Sequence, residues 1–396
     1  GTWMQSIAQG LLVLKLTNSG TMLGLVTALQ YLPILLFGPY GGLIADRFPK
    51  RKILFFTQST AGMLALILSV LVGTHTVQLW MVAVLAFSLG LVSLVDNPTR
   101  QTFIPEMVDA QMLPNTITLN SWEVNLTRVI GPSLAGAIAA TLGLTICFFL
   151  NGISYIAILV VLLSMNTKEL HPSAISQKRQ GQLKEGFAYV ISNPLLRNTL
   201  IMLAIVGTLT YEFPVILPLL AQFTFHNLDA GYAALTAAMG VGAVIGGLFT
   251  ANKKTFSSHM LIAAAVFFGF SMVAVAISPT LPVAMIAMFL VGASSINFNS
   301  IGNVTLQLES LPQMRGRVMS LWTMAFLGST PIGGPIIGWI GEHFGPRYGL
   351  GVGAVAAFIA AGIGMVTLRK RHVEEIPVDV EIADQENLTT HPTRIP

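Results

Sequence analysis

Apolar residues along this chain neither alternate with polar ones nor recur on one helical face. They run in blocks of about twenty, separated by short polar breaks. A block of that length is what an α-helix needs to cross a bilayer. The blocks fall at about 21–43, 53–73, 78–96, 117–140, 145–165, 198–221, 231–250, 260–278, 282–304, 318–341 and 349–367. A further segment, Gly1 to Leu16, is apolar but short, and it lacks the basic start of a signal peptide. It is expected to be the second half of a helix whose beginning precedes residue 1. The pattern thus predicts an all-α membrane protein with twelve transmembrane helices, the first truncated at its N-terminus. The longest internal break, about 166–197, divides it into two six-helix bundles at 1–165 and 198–368. Within that linker, Leu183 to Leu196 can form a short amphipathic helix at the membrane surface. The last stretch, 369–396, is polar and acidic and is expected to be a disordered cytoplasmic tail.

Composition agrees. Of the 396 residues, 53% are hydrophobic and 10% charged, with a mean hydropathy of +0.72. A soluble domain carries about 25% charged residues. Cys147 is the sole cysteine and the seven histidines are scattered. No disulfide framework, metal site or cofactor is therefore expected.

The net charge of +4 matters by where it sits. Arg47, Lys50, Arg51 and Lys52 fill the break after the second span. Every second break after it is also basic, through Arg100, Lys178, Arg179, Lys253, Lys254, Arg315 and Arg317 to Arg369 and Lys370. The alternate breaks hold only Lys15 and Arg347. Cytoplasmic loops are the basic ones, so both termini are expected in the cytoplasm of a bacterial cell, with the chain in its inner membrane. No phosphate-binding G-x-x-x-x-G-K-[ST] string occurs, nor convergent catalytic groups, which argues against an enzyme. The expected partners are a small-molecule substrate, protons and membrane lipid. Nucleic acid is not expected as a partner, and the chain is expected to be a monomer.

Three weak internal matches lie about six spans apart. Gly41-Gly42-Leu43 resembles Gly246-Gly247-Leu248; Asn97-Pro98-Thr99 resembles Asn303-Val304-Thr305; Trp122 before Gly131-Pro132 resembles Trp322 before Thr330-Pro331. Together they argue for a duplicated unit. Duplicated halves build transporters whose site lies at the repeat interface.

Gly42-Leu43-Ile44-Ala45-Asp46-Arg47-Phe48-Pro49-Lys50-Arg51-Lys52 resembles the signature loop of the major facilitator superfamily, G-x-L-a-D-R-x-G-R-R/K, with Pro49 in place of glycine. The resemblance implies a conformational gate formed by Gly42, Asp46, Arg47, Lys50, Arg51 and Asp96. Gly42 would let two helices approach. Asp46 would sit near the N-terminus of the eleventh helix, worth roughly 0.3–1 kcal/mol. Arg47 or Lys50 would reach Asp96. Gly131, Pro132 and Gly136 resemble the superfamily's antiporter motif, G-P-x-x-G-G, with Ala135 replacing one glycine. Pro132 would kink the fifth helix and the glycines would let it pack closely. A closer resemblance, through Asp96-Asn97-Pro98-Thr99-Arg100-Gln101, Leu119-Asn120-Ser121 and Arg315-Gly316-Arg317, is to the branch holding enterobactin-exporter and macrolide-efflux-like proteins, the transmembrane secretion effectors. It implies proton-driven export.

Charged groups inside a membrane are functional candidates. Glu123 and Arg128 lie in the fifth span with Asn125, and Glu212 lies in the seventh beside Tyr211, Phe213 and Pro214. A carboxyl in low dielectric favours its neutral form, which suits a proton carrier. Glu212 is the first candidate and Glu123 the alternative. For Arg128 a structural ion pair weighs equally with a site role. The function expected is a proton-coupled exporter of a small amphiphilic molecule by alternating access. The alternative is an uptake or lysolipid-type transporter on the same fold.

Overall fold

The computed structural model describes residues 2–108, 134–139, 141–166, 182–251, 258–311, 314–326 and 328–374, with residues 112, 116, 127 and 131. Its described residues are nearly all helical. The first helices are α1 (Thr2–Thr17), α2 (Gly20–Arg47), α3 (Lys50–Gly73), α4 (Leu79–Phe103) and α5 (Leu144–Ser164). After the linker come α6 (Gln182–Ser192), α7 (Pro194–Leu209) and α8 (Phe213–Leu219), then α9 (Leu228–Ala251), α10 (Ser258–Ala276) and α11 (Leu281–Leu308). The last are α12 (Arg315–Phe326), α13 (Thr330–His343) and α14 (Pro346–Glu374). Among the described residues nine helical spans are long and apolar enough to cross a membrane. Inside lipid the backbone must satisfy its own hydrogen bonds, and continuous helices do so.

The helices start where the sequence offers caps. Ser19 Oγ accepts the Met22 N–H at the start of α2, 3.2 Å away. Asn193 Oδ1 accepts from Leu195 and Leu196 at 3.0 and 3.4 Å, and Pro194 opens α7. Capping by Ser or Asn with proline at the first position is a favoured helix start. Of the two readings of this stretch, a short helix over Leu183 to Leu196 or a flexible linker, a helix is present as α6, and it ends one residue before that cap, short of Leu196.

Two spans differ from the continuous blocks that hydropathy suggests. The seventh is broken at Thr210–Glu212, between α7 and α8. Pro214 has no N–H to give to the Thr210 carbonyl, and its ring crowds that carbonyl. Pro218 repeats the defect, and the chain relaxes into a π-helical turn at Leu220–Thr224. The eleventh span is broken between α12 and α13, just before Thr330-Pro331. The expected tail is also helical as far as Glu374, as the end of α14; residues 375–396 lie outside the described ones.

Packing repeats between the two groups of helices. In the first, α2 lies on α4 and α3 on α4 and α5; in the second, α9 lies on α11 and α10 on α11 and α14. Glycine sets both pairs. A Cβ on Gly41 would strike the Leu94 carbonyl oxygen, and one on Gly90 that of Gln30. In the second pair, Gly242 meets Phe289, Gly246 meets Ala293 and Gly292 meets Met239 in the same way. Without a hydrophobic force between helices in lipid, such close backbone contact is what holds them.

At the face opposite the basic breaks the connections are tight. Asn18, His75, Gly143, His226 and Gly345 sit there with φ between 51° and 102°. Asparagine and glycine reach this left-handed region at lowest cost.

Candidate functional site

The two helix breaks lie side by side, and Glu212 stands between them. It precedes α8 as its N-cap residue and is 1% exposed. Its Oε1 lies 2.8 Å from where a Cβ on Gly333 would sit, and its Oε2 3.5 Å from the same point on Gly334. The carboxyl thus rests on the bare backbone at the start of α13. A side chain at Gly333 would also strike the Thr208 carbonyl at the end of α7, so glycine is required there. Neither oxygen of Glu212 has a hydrogen-bond partner. The Thr330 hydroxyl is near enough to act on the carboxyl, short of a well-formed hydrogen bond.

Aromatic rings fix the break. Tyr211 packs edge-on against Phe326 at 4.6 Å, Phe268 at 5.5 Å and Phe213 at 5.7 Å between ring centres. Its hydroxyl donates to the Ser295 carbonyl at 2.5 Å. Edge-to-face pairs at these distances are favourable, and they tie the break and α8 to α10 and α12 around the acid.

Facing this from the first half is a polar crevice. Its polar lining is Ser6, Gln9, Thr27, Gln30 and Tyr31 of α1 and α2, with Gly10, Val13, Leu23 and Val26 beside them and Pro214 of α8 across from them. Gln9 Nε2 donates to Gln30 Oε1 at 3.1 Å. The sequence does not single out these amides, because neutral polar side chains are common in helices. Their signal was position: Gln9 and Gln30 both stand near the middle of apolar runs.

At the opposite face the halves are joined directly. Gly20 and Gly24 of α2 cross Gly338 and Gly334 of α13 with backbone on backbone. Lys15 pairs with Asp229 at 2.9 Å, and Gln222 donates to Asn18. Glu342, at the end of α13, accepts from Ser19 Oγ and Thr21 N, both at 2.8 Å, and from Thr21 Oγ1. Burial raises the pKa of Glu342, but these bonds and nearby His343 outweigh it, and the net shift is downward.

At the basic face the arrangement corrects part of the expected gate. Lys50 pairs with Glu106, just beyond α4, with both side chains nearly buried. Asp96 Oδ1 instead accepts from Thr57 Oγ1 at 2.6 Å and Gln58 Nε2 at 2.8 Å. Glu106 lies ten residues further along and, at the end of its own short turn, reaches Lys50 more directly. Arg47 is exposed at the end of α2. Arg51 donates to the Leu162 and Leu163 carbonyls at 2.6 and 3.0 Å, closing the end of α5. The tight approach of α2 to α4 falls on Gly41, one residue before Gly42. The Asp46 side chain lies outside the described residues. α6 docks nearby: Glu185 pairs with Arg317 at 2.9 Å, and Tyr189 Oη accepts the Leu311 N–H at 3.1 Å.

In the fifth span, Glu123, Asn125, Arg128 and Pro132 lie outside the described residues. Gly131 is helical, and a Cβ on Gly136 would collide with Ala233 of α9, so that glycine does permit close packing.

This is the architecture of a membrane transporter of the major facilitator type. A bacterial homolog of the human lysosomal transporter Spinster, in an inward-facing, unoccupied conformation, superposes with a TM-score of 0.73. The two are 14% identical, over 93% of this chain and 94% of that one. The transporter PepTSo gives 0.71 at 13% identity, over 94% and 96%. The chain belongs to the transmembrane secretion effector family, which it matches over residues 1–390. It is 24% identical to the staphyloferrin A transporter of Staphylococcus aureus over 349 residues, 87% of each chain. It is also 24% identical to the enterobactin exporter EntS of Escherichia coli K12 over 361 residues, 87% of this chain and 83% of that one. The family and these relatives are membrane transporters; the chain is a multi-pass membrane transporter and not an enzyme.

Proposed function

We propose that this protein is a proton-coupled exporter of a small amphiphilic molecule of the siderophore kind, working by alternating access with Glu212 as the proton carrier. The carrying observation is the Glu212 carboxyl, 1% exposed, without a hydrogen bond, lodged between two broken helices where the halves meet. An ionised carboxylate left there without a partner costs far more than a neutral acid. A group that is stable protonated when sealed, and free to ionise when wetted, is what coupling requires. The substrate class rests on the siderophore transporters among the relatives. Broken helices at a repeat interface are where such sites form.

The architecture in this reading is twelve helices in two six-helix bundles, 1–165 and 198–368, joined by a cytoplasmic linker at 166–197. The basic face is cytoplasmic, as are both termini. Gly42, Asp46, Arg47, Lys50, Arg51 and Asp96, with Glu106 added, form the gate of that face. Glu123, Asn125 and Arg128 remain candidates for substrate or proton binding. The contacts that close the opposite face suit a state that loads from the cytoplasm.

The test is Glu212→Gln, which keeps the shape of the protonated acid and cannot release a proton. A panel of siderophores and hydrophobic drugs, scored by growth with and without the gene, first supplies a cargo. In proteoliposomes the variant is expected to lose uphill transport of that cargo and to keep part of its downhill exchange. Uphill transport by the glutamine variant overturns the assignment of Glu212.

A further inference from the structure

Two groups approach Gly334 where its side chain would stand. The Gly24 carbonyl oxygen, on α2 in the first half, lies 3.1 Å from the point where its Cβ would sit. Glu212 Oε2, in the second half, lies 3.5 Å from that same point. A Cβ on Gly24 would in turn strike the Gly334 carbonyl, and one on Gly338 that of Gly20. The inter-half crossing and the buried acid therefore share one residue, and both meet at the place its missing side chain leaves open. The acid lies against Gly333 and Gly334, and neither of its oxygens has a hydrogen-bond partner.

We propose that Gly334 is a positioning residue that couples closure of the two halves to the hydration of Glu212. When α2 and α13 cross closely, the paired glycine backbones leave no room for water between the acid and the opposite face. A water molecule needs space and two or more polar partners, and parting the crossing supplies both, in the freed carbonyls of Gly24 and Gly334. The seal and the proton site then open together. This rests on the reading of Glu212 as the carrier.

Of the titratable side chains nearest Glu212, Tyr211 is held by its hydroxyl on the Ser295 carbonyl, and Tyr31 of α2 lines the crevice that Pro214 also lines. Lys15 of α1, Asp229 of α9, Glu342 of α13 and Arg347 of α14 stand at the opposite face, where Lys15 and Asp229 pair with each other. None of these four replaces Glu212 as the proton site at the crossing.

The lever is Gly334→Ala. Its methyl would meet Gly24 O at 3.1 Å, tight enough to prise the crossing by a few tenths of an ångström without a collision. Gly333 is unsuitable, because its Cβ would strike the Thr208 carbonyl outright. Gly247→Ala is the control, since its Cβ would meet Ile296 at an ordinary 3.9 Å. Glu342→Gln is a second lever, weakening the same closure from its end at Ser19 and Thr21.

Proteoliposomes without substrate, loaded with a pH-sensitive dye, report how fast an imposed pH gradient decays. Gly334→Ala and Glu342→Gln are each expected to speed the decay several-fold, and Gly247→Ala to leave it unchanged. Adding Glu212→Gln to either lever is expected to restore the wild-type rate, which a merely loosened structure would not do. Decay at the wild-type rate in both levers, or a leak that persists without Glu212, overturns the proposal. The two readings separate cleanly. If Glu212→Gln alone abolishes uphill transport while the levers hold their gradient, Glu212 stays the carrier and Gly334 loses its coupling role. If Glu212→Gln transports uphill, the carrier assignment fails whatever the levers do.

Discussion

Lys50 and Glu106 form a nearly buried ion pair at the rim of the basic face, with side-chain exposures of 11% and 8%. Removing one charge from such a pair strands the other, at a cost of about 3–5 kcal/mol, whereas replacing both with apolar residues is often close to neutral. Glu106→Gln is therefore expected to lower thermal stability in detergent more than the double variant Lys50→Met/Glu106→Leu does. A double variant as unstable as the single one would show that the pair is not the source of the effect. The sequence pointed to Lys50 through its loop, but it gave the wrong partner. Asp96 was the nearer acid to expect at a helix end, and nothing in the sequence pairs Glu106 with Lys50. Only the course of the chain after α4, through the turn Ile104–Glu106, brings that carboxyl back to Lys50. Glu212 was legible because a carboxylate inside an apolar run has few reasons to be there. Gln9, Gln30 and Tyr31 were not, since neutral polar side chains in helices have many.

At the scale of elements, the clearest case is the junction of α13 with α2. Glu342 ends α13, where the helix dipole disfavours a negative charge, yet it sits at the N-terminus of α2, where the dipole favours one. Its bonds to Ser19 and Thr21 decide the matter, and its pKa falls below the ordinary 4.5. A carboxyl whose folded-state pKa is depressed adds stability above its unfolded value, and that stability is lost as pH falls through the folded value. Glu342→Gln should therefore melt below the wild type at neutral pH, and the gap should close as pH is taken well below 4.5. A gap independent of pH would mean that the charge contributes nothing. Hydropathy located the helices but could not see the breaks in the seventh and eleventh spans. An apolar run stays apolar across a break, and the informative residues were Pro214, Pro218 and Pro331, which act through a missing N–H and not through polarity. The repeated packing of the two groups of helices has its trace in weak matches such as Gly41-Gly42 with Gly246-Gly247. Its physical content is the pair of glycine crossings, Gly41 on Leu94 and Gly246 on Ala293.

For the whole molecule, the alternation of basic and bare breaks predicts which face meets which compartment. Single cysteines placed near Lys50, Lys178 and Lys253 should resist an impermeant thiol reagent added to intact cells, while one near His226 should react. Labelling at Lys178 would invert the orientation and with it the direction of transport proposed here. The bare face has a further consequence. Among the described residues its connections are residues 18–19, 74–78, 142–143, 225–227, 277–280 and 344–345, several of them turned through a left-handed residue. Proteases and tolerated insertions both concentrate at exposed loop tips, and this face has almost none to offer. If it is the outer one, the protein shows the world outside the cell a surface of closed turns. There is little there to cut or to seize, and whatever controls the transporter must reach it from the cytoplasm or through the bilayer.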